Sequence, residues 1–236
     1  MPRPPILKIA EIFASLQGEG LRQGEPTIFV RLAGCNLRCP FCDTKRAWKG
    51  GRGMSLERIA GRVARLKKTR PAEWIVLTGG EPLLQDVGPL VRRLKAAGFR
   101  IQVETNGLFY RLLPLALVRG LNTRTSAAEP DPRTGSGAPA AVDWYTVSPK
   151  PPDYIFHPEY RAKAREVKLV ASRELNLDVV LRVRDAFPAR TPLFIQPESN
   201  AARSRAKALM LVLEAAEEGR TNVRLSLQMH KILRIP

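Results

Sequence analysis

Apolar runs alternate with amphipathic stretches along most of the chain, and their two periods separate strands from helices. Pro26 to Leu32 contains Thr-Ile-Phe-Val-Arg-Leu, the near-continuous run of a buried strand. Ser55 then stands as the N-cap of a helix reaching Lys68, with Leu56, Ile59, Ala60, Val63 and Leu66 on one face. Trp74 to Thr78 predicts a second strand, and a helix from about Asp86 to Ala97 ends at Gly98, a fitting C′ residue. A third strand follows at Arg100 to Glu104, and others at Asp143 to Val147, Glu166 to Val170 and Leu193 to Gln196. Helices at Asn176 to Ala186 and Ala201 to Glu218 separate the later strands, the second closing at Gly219. Asn222 to Leu227 reads as the last strand. The region from Asn122 to Val142 breaks the pattern. It is rich in Ala, Pro, Gly, Ser and Thr around Pro130-Asp131-Pro132, and reads as an exposed insertion.

Strand–helix alternation of this kind predicts a parallel sheet in an α/β protein. The six or seven units are too few for a complete eightfold barrel, so the expected fold is an open, partial (β/α) barrel of about six β/α units. In such folds the loops at the C-terminal ends of the strands carry the site.

Length and charge narrow the class. A chain of 236 residues fits one domain over 1–236 and supports a core of its own. No apolar run approaches the roughly 20 residues that span a bilayer, and Met-Pro-Arg-Pro-Pro-Ile-Leu-Lys has no apolar signal core. The expected location is cytoplasmic. The net charge is +17, from 39 Lys plus Arg against 22 Asp plus Glu. These charges are dispersed, and no aromatic residues are interleaved with them. A general basic surface that steers an acidic partner or an anionic substrate is therefore preferred over nucleic-acid binding.

The chemistry concentrates in three cysteines, Cys35, Cys39 and Cys42, the only ones in the chain. Gly34 and Pro40 favour a wrapped loop that converges the thiols. Three thiolates on a four-iron cluster leave one iron open for chemistry. A partial zinc site or a buried thiol cluster is the plainer reading. Zinc would need a fourth ligand from His157, His230 or a carboxylate, and neither histidine has paired spacing.

Four other segments end strands. Thr78-Gly79-Gly80-Glu81-Pro82 leaves amide donors free for a ligand, or is simply a tight turn. Glu104-Thr105-Asn106-Gly107 offers a carboxylate for ribose hydroxyls or for capping. Ser148-Pro149-Lys150 offers a hydroxyl and an ammonium, or a solvated turn. Gln196-Pro197-Glu198-Ser199 offers an amide and a hydroxyl, or a helix entry. Ahead of the first barrel strand, Ser15-Leu16-Gln17-Gly18-Glu19-Gly20 sets polar groups between glycines. Arg31 interrupts a buried strand and needs an anion, either a structural Glu or a substrate carboxylate. Thr44 places a hydroxyl two residues after Cys42. The tail from Gln228 to Pro236 is half apolar, as if to dock, and His230 within it reads as structural.

The C-x3-C-x2-C spacing resembles that of radical S-adenosylmethionine (SAM) enzymes. Leu-Gln-Gly-Glu-Gly, Cys-Asp-Thr, Thr-Gly-Gly-Glu-Pro, Glu-Thr-Asn-Gly, Ser-Pro-Lys, Gln-Pro and a Gln-x-His-Lys tail ending in Ile-Pro extend the resemblance nearly end to end. Together they resemble the 7-carboxy-7-deazaguanine synthase family of queuosine and 7-deazapurine biosynthesis.

That resemblance implies a radical SAM lyase that converts 6-carboxy-5,6,7,8-tetrahydropterin to 7-carboxy-7-deazaguanine with loss of ammonia. It implies that Cys35, Cys39 and Cys42 hold a [4Fe–4S] cluster and that SAM occupies the fourth iron and is regenerated. One-electron cleavage of SAM would give a 5′-deoxyadenosyl radical that takes hydrogen from C6 of the pterin. The resemblance makes Thr44 a ligand of Mg²⁺ at the substrate carboxylate. Leu16, Gln17, Gly18, Arg31, Thr78 and the carboxylate of Pro236 become substrate contacts. Phe41, Cys42, Asp43, Gly80, Ser148, Pro149, Lys150, Gln196, Pro197, Glu198 and Ser199 become SAM contacts. It further implies an N-terminal substrate-binding extension, a substrate-contacting tail, a homodimer and an acidic flavodoxin-like donor. The insertion after Asn122 departs from the shared pattern, and the cluster loop has ordinary length where some relatives have a longer one. The rival readings are another radical SAM enzyme, such as a glycyl-radical activase, and a zinc or nucleic-acid-binding module.

Overall fold

The computed structural model describes residues 5–110 and 142–236. Most of the insertion expected at 122–142 lies outside them. Nine strands form one sheet in the order β3-β1-β2-β4-β5-β6-β7-β8-β9. The chain runs β1 (Ile6–Leu16), β2 (Pro26–Leu32), β3 (Arg52–Ser55), α1 (Leu56–Thr69), β4 (Trp74–Gly79), α2 (Gly88–Ala96) and β5 (Arg100–Thr105). It resumes with β6 (Trp144–Val147), α3 (Tyr160–Lys163), β7 (Ala164–Ala171), α4 (Leu177–Asp185), β8 (Leu193–Pro197), α5 (Ala202–Glu217), β9 (Val223–Leu225) and α6 (Met229–Leu233). From β2 through β4 to β9 every neighbouring pair is parallel. β1 and β3 extend the β2 edge as antiparallel strands.

The sequence pattern predicts no strand ahead of Pro26, yet β1 is the longest described. Leu7 and Ile9 are buried, then Ile12 and Ala14. An irregularity in the pairing with β2 between Ile9 and Glu11 shifts the alternation by one residue. A bulge inserts such a residue and hides the period of two. β3, Arg-Gly-Met-Ser, has no apolar alternation and exists through its pairing with β1. The last strand is shorter than expected, ending at Leu225, and the tail forms α6.

Local signals act where the sequence placed them. The Ser55 hydroxyl accepts from the Arg58 amide at the start of α1, and Asn176 accepts from Val179 at the start of α4. Gly98 and Gly219 follow α2 and α5 with φ of 80° and 77°, the left-handed conformation that suits glycine after a helix.

Alternation within the parallel strands divides the sheet into two faces. Ile28, Val30 and Leu32 of β2, Ile75 and Leu77 of β4, Ile101 and Val103 of β5, and Val167 and Leu169 of β7 belong to the hydrophobic core. Ile59 and Val63 of α1, Leu90 and Leu94 of α2, and Val180 and Val183 of α4 complete that core. Each such fully buried side chain stabilises the fold by about 1.5–3 kcal/mol relative to exposure. The intervening residues point the other way, and many are polar: Arg31, Thr78, Gln102, Glu104, Thr146, Glu166, Lys168 and Gln196. A sheet whose second face is this polar must serve a ligand or pair its own charges.

Candidate active site

The polar face opens onto a cavity of about 240 Å³. Among its lining residues are Cys35, Cys39 and Cys42 from the loop after β2, all three free thiols and half-buried. The loop is held by its backbone: Gly34 N–H donates to Ala47 (2.8 Å) and Cys42 N–H to Cys39 (3.0 Å). Burial pushes the Cys35 and Cys39 thiols above their ordinary pKa.

The turn after β4 fits against this loop without room for a side chain. A Cβ on Gly80 would lie 2.0 Å from the Gly34 carbonyl oxygen and 3.0 Å from Cys35 Cβ. Gly79 has φ of 127°, and a Cβ there would meet the Leu32 carbonyl oxygen at 2.1 Å. Glu81 N–H donates to the Gly34 carbonyl at 2.8 Å. Its carboxylate, fully buried, accepts from the Thr105 hydroxyl (2.8 Å) and the Asn106 amide (2.7 Å) at the end of β5. Burial pushes the Glu81 carboxyl up despite these hydrogen bonds. Asn106 Nδ2 donates to Asn36 Oδ1 at 2.9 Å, which returns the network to the cysteine loop. The ends of β4 and β5 and the cysteine loop therefore form one braced unit.

A second network crosses the cavity. Glu19, from the polar N-terminal segment, forms an ion pair with Lys168 of β7. The other Glu19 carboxylate oxygen accepts from Gln196 (3.0 Å) and Gln228 (2.9 Å). Burial raises the Glu19 pKa, but Lys168 outweighs it and holds the carboxyl below its usual range. For Lys168, burial disfavours the ammonium, while Glu19 and Glu104 more than offset it and raise its pKa. Among the described residues Lys150 has no such carboxylate partner. Its burial, and Lys168 nearby, lower its pKa to about 8.

Asp43 accepts from Thr44 (3.0 Å), Gln228 (3.0 Å) and Lys231 (2.9 Å). Burial pushes its carboxyl up, and Lys231 with these hydrogen bonds holds it well below the usual carboxylate range. Arg31 donates to Glu11 of β1 at 2.6 Å, so a structural Glu supplies its anion while its guanidinium also lines the cavity. Glu104 accepts from Gln17 and from the Thr78 hydroxyl, each at 3.0 Å.

The tail closes the site. Met229 N–H donates to the Gly18 carbonyl at 2.9 Å. A Cβ on Gly18 would lie 2.2 Å from His230 Nδ1, so this glycine admits the imidazole. The Ser15 hydroxyl donates to Pro236 O at 2.6 Å.

Of the site residues expected from the sequence, all but Pro149 line this one cavity: Leu16, Gln17, Gly18, Arg31, Phe41, Asp43, Thr44, Thr78, Gly80, Ser148, Lys150, Gln196, Pro197, Glu198, Ser199 and Pro236, with the three cysteines. His157 stacks on Tyr110 away from it. Lys168 in the cavity wall, and the hydrogen bonds made there by Gln228 and Glu81, are features that the sequence did not disclose. A lysine inside the β7 run was a usable signal, since the same reasoning singled out Arg31.

Fold and site together define an enzyme of the radical SAM class, and the family described as "Radical SAM superfamily" matches residues 29–123. That family implies a [4Fe–4S] cluster and SAM. The chain is 36% identical to the 7-carboxy-7-deazaguanine synthase of Rhodospirillum rubrum, over 97% of this chain and 92% of that protein. It is 33% identical to the same-named enzyme of Aquifex aeolicus, over 96% and 93%. The crystal structure of QueE from Escherichia coli superposes with a TM-score of 0.70 at 25% identity, covering 95% of each chain. The chain belongs to the 7-carboxy-7-deazaguanine synthase family.

Proposed function

We propose that the protein catalyses ring contraction of 6-carboxy-5,6,7,8-tetrahydropterin to 7-carboxy-7-deazaguanine with release of ammonia, a step of 7-deazapurine (queuosine) biosynthesis. One observation carries the proposal. A single cavity gathers three free thiols, the Gly79-Gly80 turn and the ends of β6 and β8, with the N-terminal polar segment and the tail closing it.

The donor set fits the cluster. Three free thiols line one cavity, and thiolates are the ligands that iron–sulfur clusters take. When bound, the cluster and SAM supply a low-potential electron and a carbon-centred radical. The protein's part is to position and to exclude water.

Cys35, Cys39 and Cys42 hold the cluster. Gly80 lets SAM approach the chain's own backbone, which meets its amino group, and the Lys150 ammonium with the Ser148 hydroxyl faces the SAM carboxylate. Phe41, Asp43 and the Gln196-Pro197-Glu198-Ser199 turn complete the SAM pocket. Thr44 serves a Mg²⁺ that binds the substrate carboxylate, in keeping with an ion that takes few protein ligands and accepts substrate oxygens. Leu16, Gln17, Gly18, Arg31, Thr78 and the Pro236 carboxylate bind the pterin.

The sheet is read as an open, partial (β/α) barrel of about six units. Support comes from its parallel run from β2 to β9, and from β3 and β9 standing at opposite ends of the strand order. The net charge of +17 suits an acidic flavodoxin-like donor, and a homodimer is the expected assembly. Among the described residues no helix is long and apolar enough to cross a membrane.

The test is an anaerobic incubation with carboxytetrahydropterin, SAM and dithionite, read by mass spectrometry. The expected product is 7-carboxy-7-deazaguanine, with SAM retained. Reconstituted protein should hold about four irons and four sulfides per chain. One zinc and no sulfide would reject the reading. SAM cleavage without ring contraction would favour a glycyl-radical activase. Thr44→Ala should weaken the Mg²⁺ response, and an unaltered response would remove that assignment.

A further inference from the structure

Helix α5 is apolar on two sides. Ala208, Leu211 and Ala215 face the core. On the opposite side Leu209, Met210 and Leu213 are 50%, 58% and 55% exposed, and Ala202, Ala206 and Ala216 are exposed beside them. Positions 202, 206, 209 and 213 recur at intervals of three and four, the spacing of a helix–helix seam.

This seam is nearly symmetric about the midpoint between Leu209 and Met210. Ala206 mirrors Leu213, and Leu209 mirrors Met210. An antiparallel copy of α5 would therefore set each Leu213 against the small Ala206 of the other helix.

The charges carry the same symmetry. Arg203, Arg205 and Lys207 lie in the first half of α5, while Glu214, Glu217 and the following Glu218 lie at its other end. A lone helix favours the reverse, with acids at its N-terminus and bases at its C-terminus. Arg205 and Lys207 donate to carbonyl oxygens of their own chain. Arg203, Glu214 and Glu217 have no ion-pair partner among the described residues. In an antiparallel pair about that midpoint each Arg203 would fall level with Ala216 of the second helix, one residue from Glu217, with Glu214 on the same flank. An acidic electron donor would meet these glutamates as like charges.

We propose that this face of α5 is a twofold interface, packed antiparallel against the same face of a second copy of this chain. The inference deepens the homodimer reading above by assigning its surface. It leaves the catalytic cavity free, because α5 packs on the helical side of the sheet and the cavity opens on the other.

Sedimentation velocity of the full chain over a range of concentrations tests it. The wild type should be a dimer. Met210→Glu places two carboxylates beside the twofold axis and should raise the dimer dissociation constant at least about 100-fold, with unchanged far-ultraviolet circular dichroism and iron content. Arg203→Glu should weaken the dimer about tenfold. Arg203→Glu combined with Glu217→Arg should restore it to within about threefold, because the reversed pair keeps its sign complementarity. A dimer indifferent to both Met210→Glu and Arg203→Glu would overturn this interface while leaving the homodimer reading intact. A wild type that stays monomeric at tens of micromolar would overturn both.

Discussion

Gly80→Ala is the most informative single change in the cavity. The added Cβ would sit 2.0 Å from the Gly34 carbonyl oxygen, 2.5 Å from its carbon and 3.0 Å from Cys35 Cβ, where ordinary contact begins at 3.4 Å. The colliding atoms belong largely to backbone, so no side-chain rotation relieves the overlap. The cysteine loop must retreat by more than 1 Å, or the β4 turn must. The turn is fixed by Glu81, whose carboxylate holds Thr105 and Asn106 of β5. The collision falls on Gly34 at the start of the loop, and Cys35 beside it moves when that carbonyl is displaced. Overpacking of this kind costs about 1–3 kcal/mol, and a displacement of about 1 Å at a reacting centre lowers turnover about 100-fold. Gly80→Ala should therefore melt only modestly below the wild type, yet lose cluster loading and SAM binding. The assays are thermal melting of the apo protein, iron and sulfide content after anaerobic reconstitution, and product formation. Wild-type turnover with a full cluster would refute the claim that this turn is pressed against the cysteine loop.

Three further predictions concern the polar face and the core. Lys168→Met leaves the buried Glu19 carboxylate without its cation and should cost about 3–5 kcal/mol in urea unfolding. Adding Glu19→Gln should recover part of that loss, and a single variant within about 1 kcal/mol of wild type would contradict the pairing. Glu166 is buried, and burial lifts its pKa above the ordinary carboxylate value although the Leu21 amide and Thr146 donate to it. Its contribution is thus most favourable at low pH and declines as pH rises from the ordinary value through the raised one. Glu166→Gln should flatten that decline and melt no lower than wild type at neutral pH, whereas parallel pH–stability curves would refute it. Ile59→Ala empties a fully buried site of α1 and should cost about 2–5 kcal/mol. Cluster loading should be unchanged, because Ile59 lies across the sheet from the cavity. Loss of iron at equal folded fraction would count against that separation.

The division of the sheet into two faces explains what the sequence disclosed and what it withheld. The parallel strands were legible because covering helices make one face continuously apolar, as in Ile28, Val30 and Leu32. The site motifs were legible because each is local: one turn after one strand, with glycines or donors at fixed offsets. The polar pairs were not, because each depends on register between distant segments. Glu19 and Lys168 are 149 residues apart. Arg31 was recognised as needing an anion, but Glu11 could not be named while the bulge concealed β1. Once β1 pairs with β2, Glu11 falls opposite Arg31 and the requirement is met. A charged residue inside an apolar strand thus marks the cavity face before its partner is known. Applied to β7, this reasoning selects Lys168, and its buried ion pair then ties the N-terminal polar segment to the sheet. The N-terminal segment is accordingly a wall of the cavity, and the residues with which it lines that cavity depend on β7 for their position.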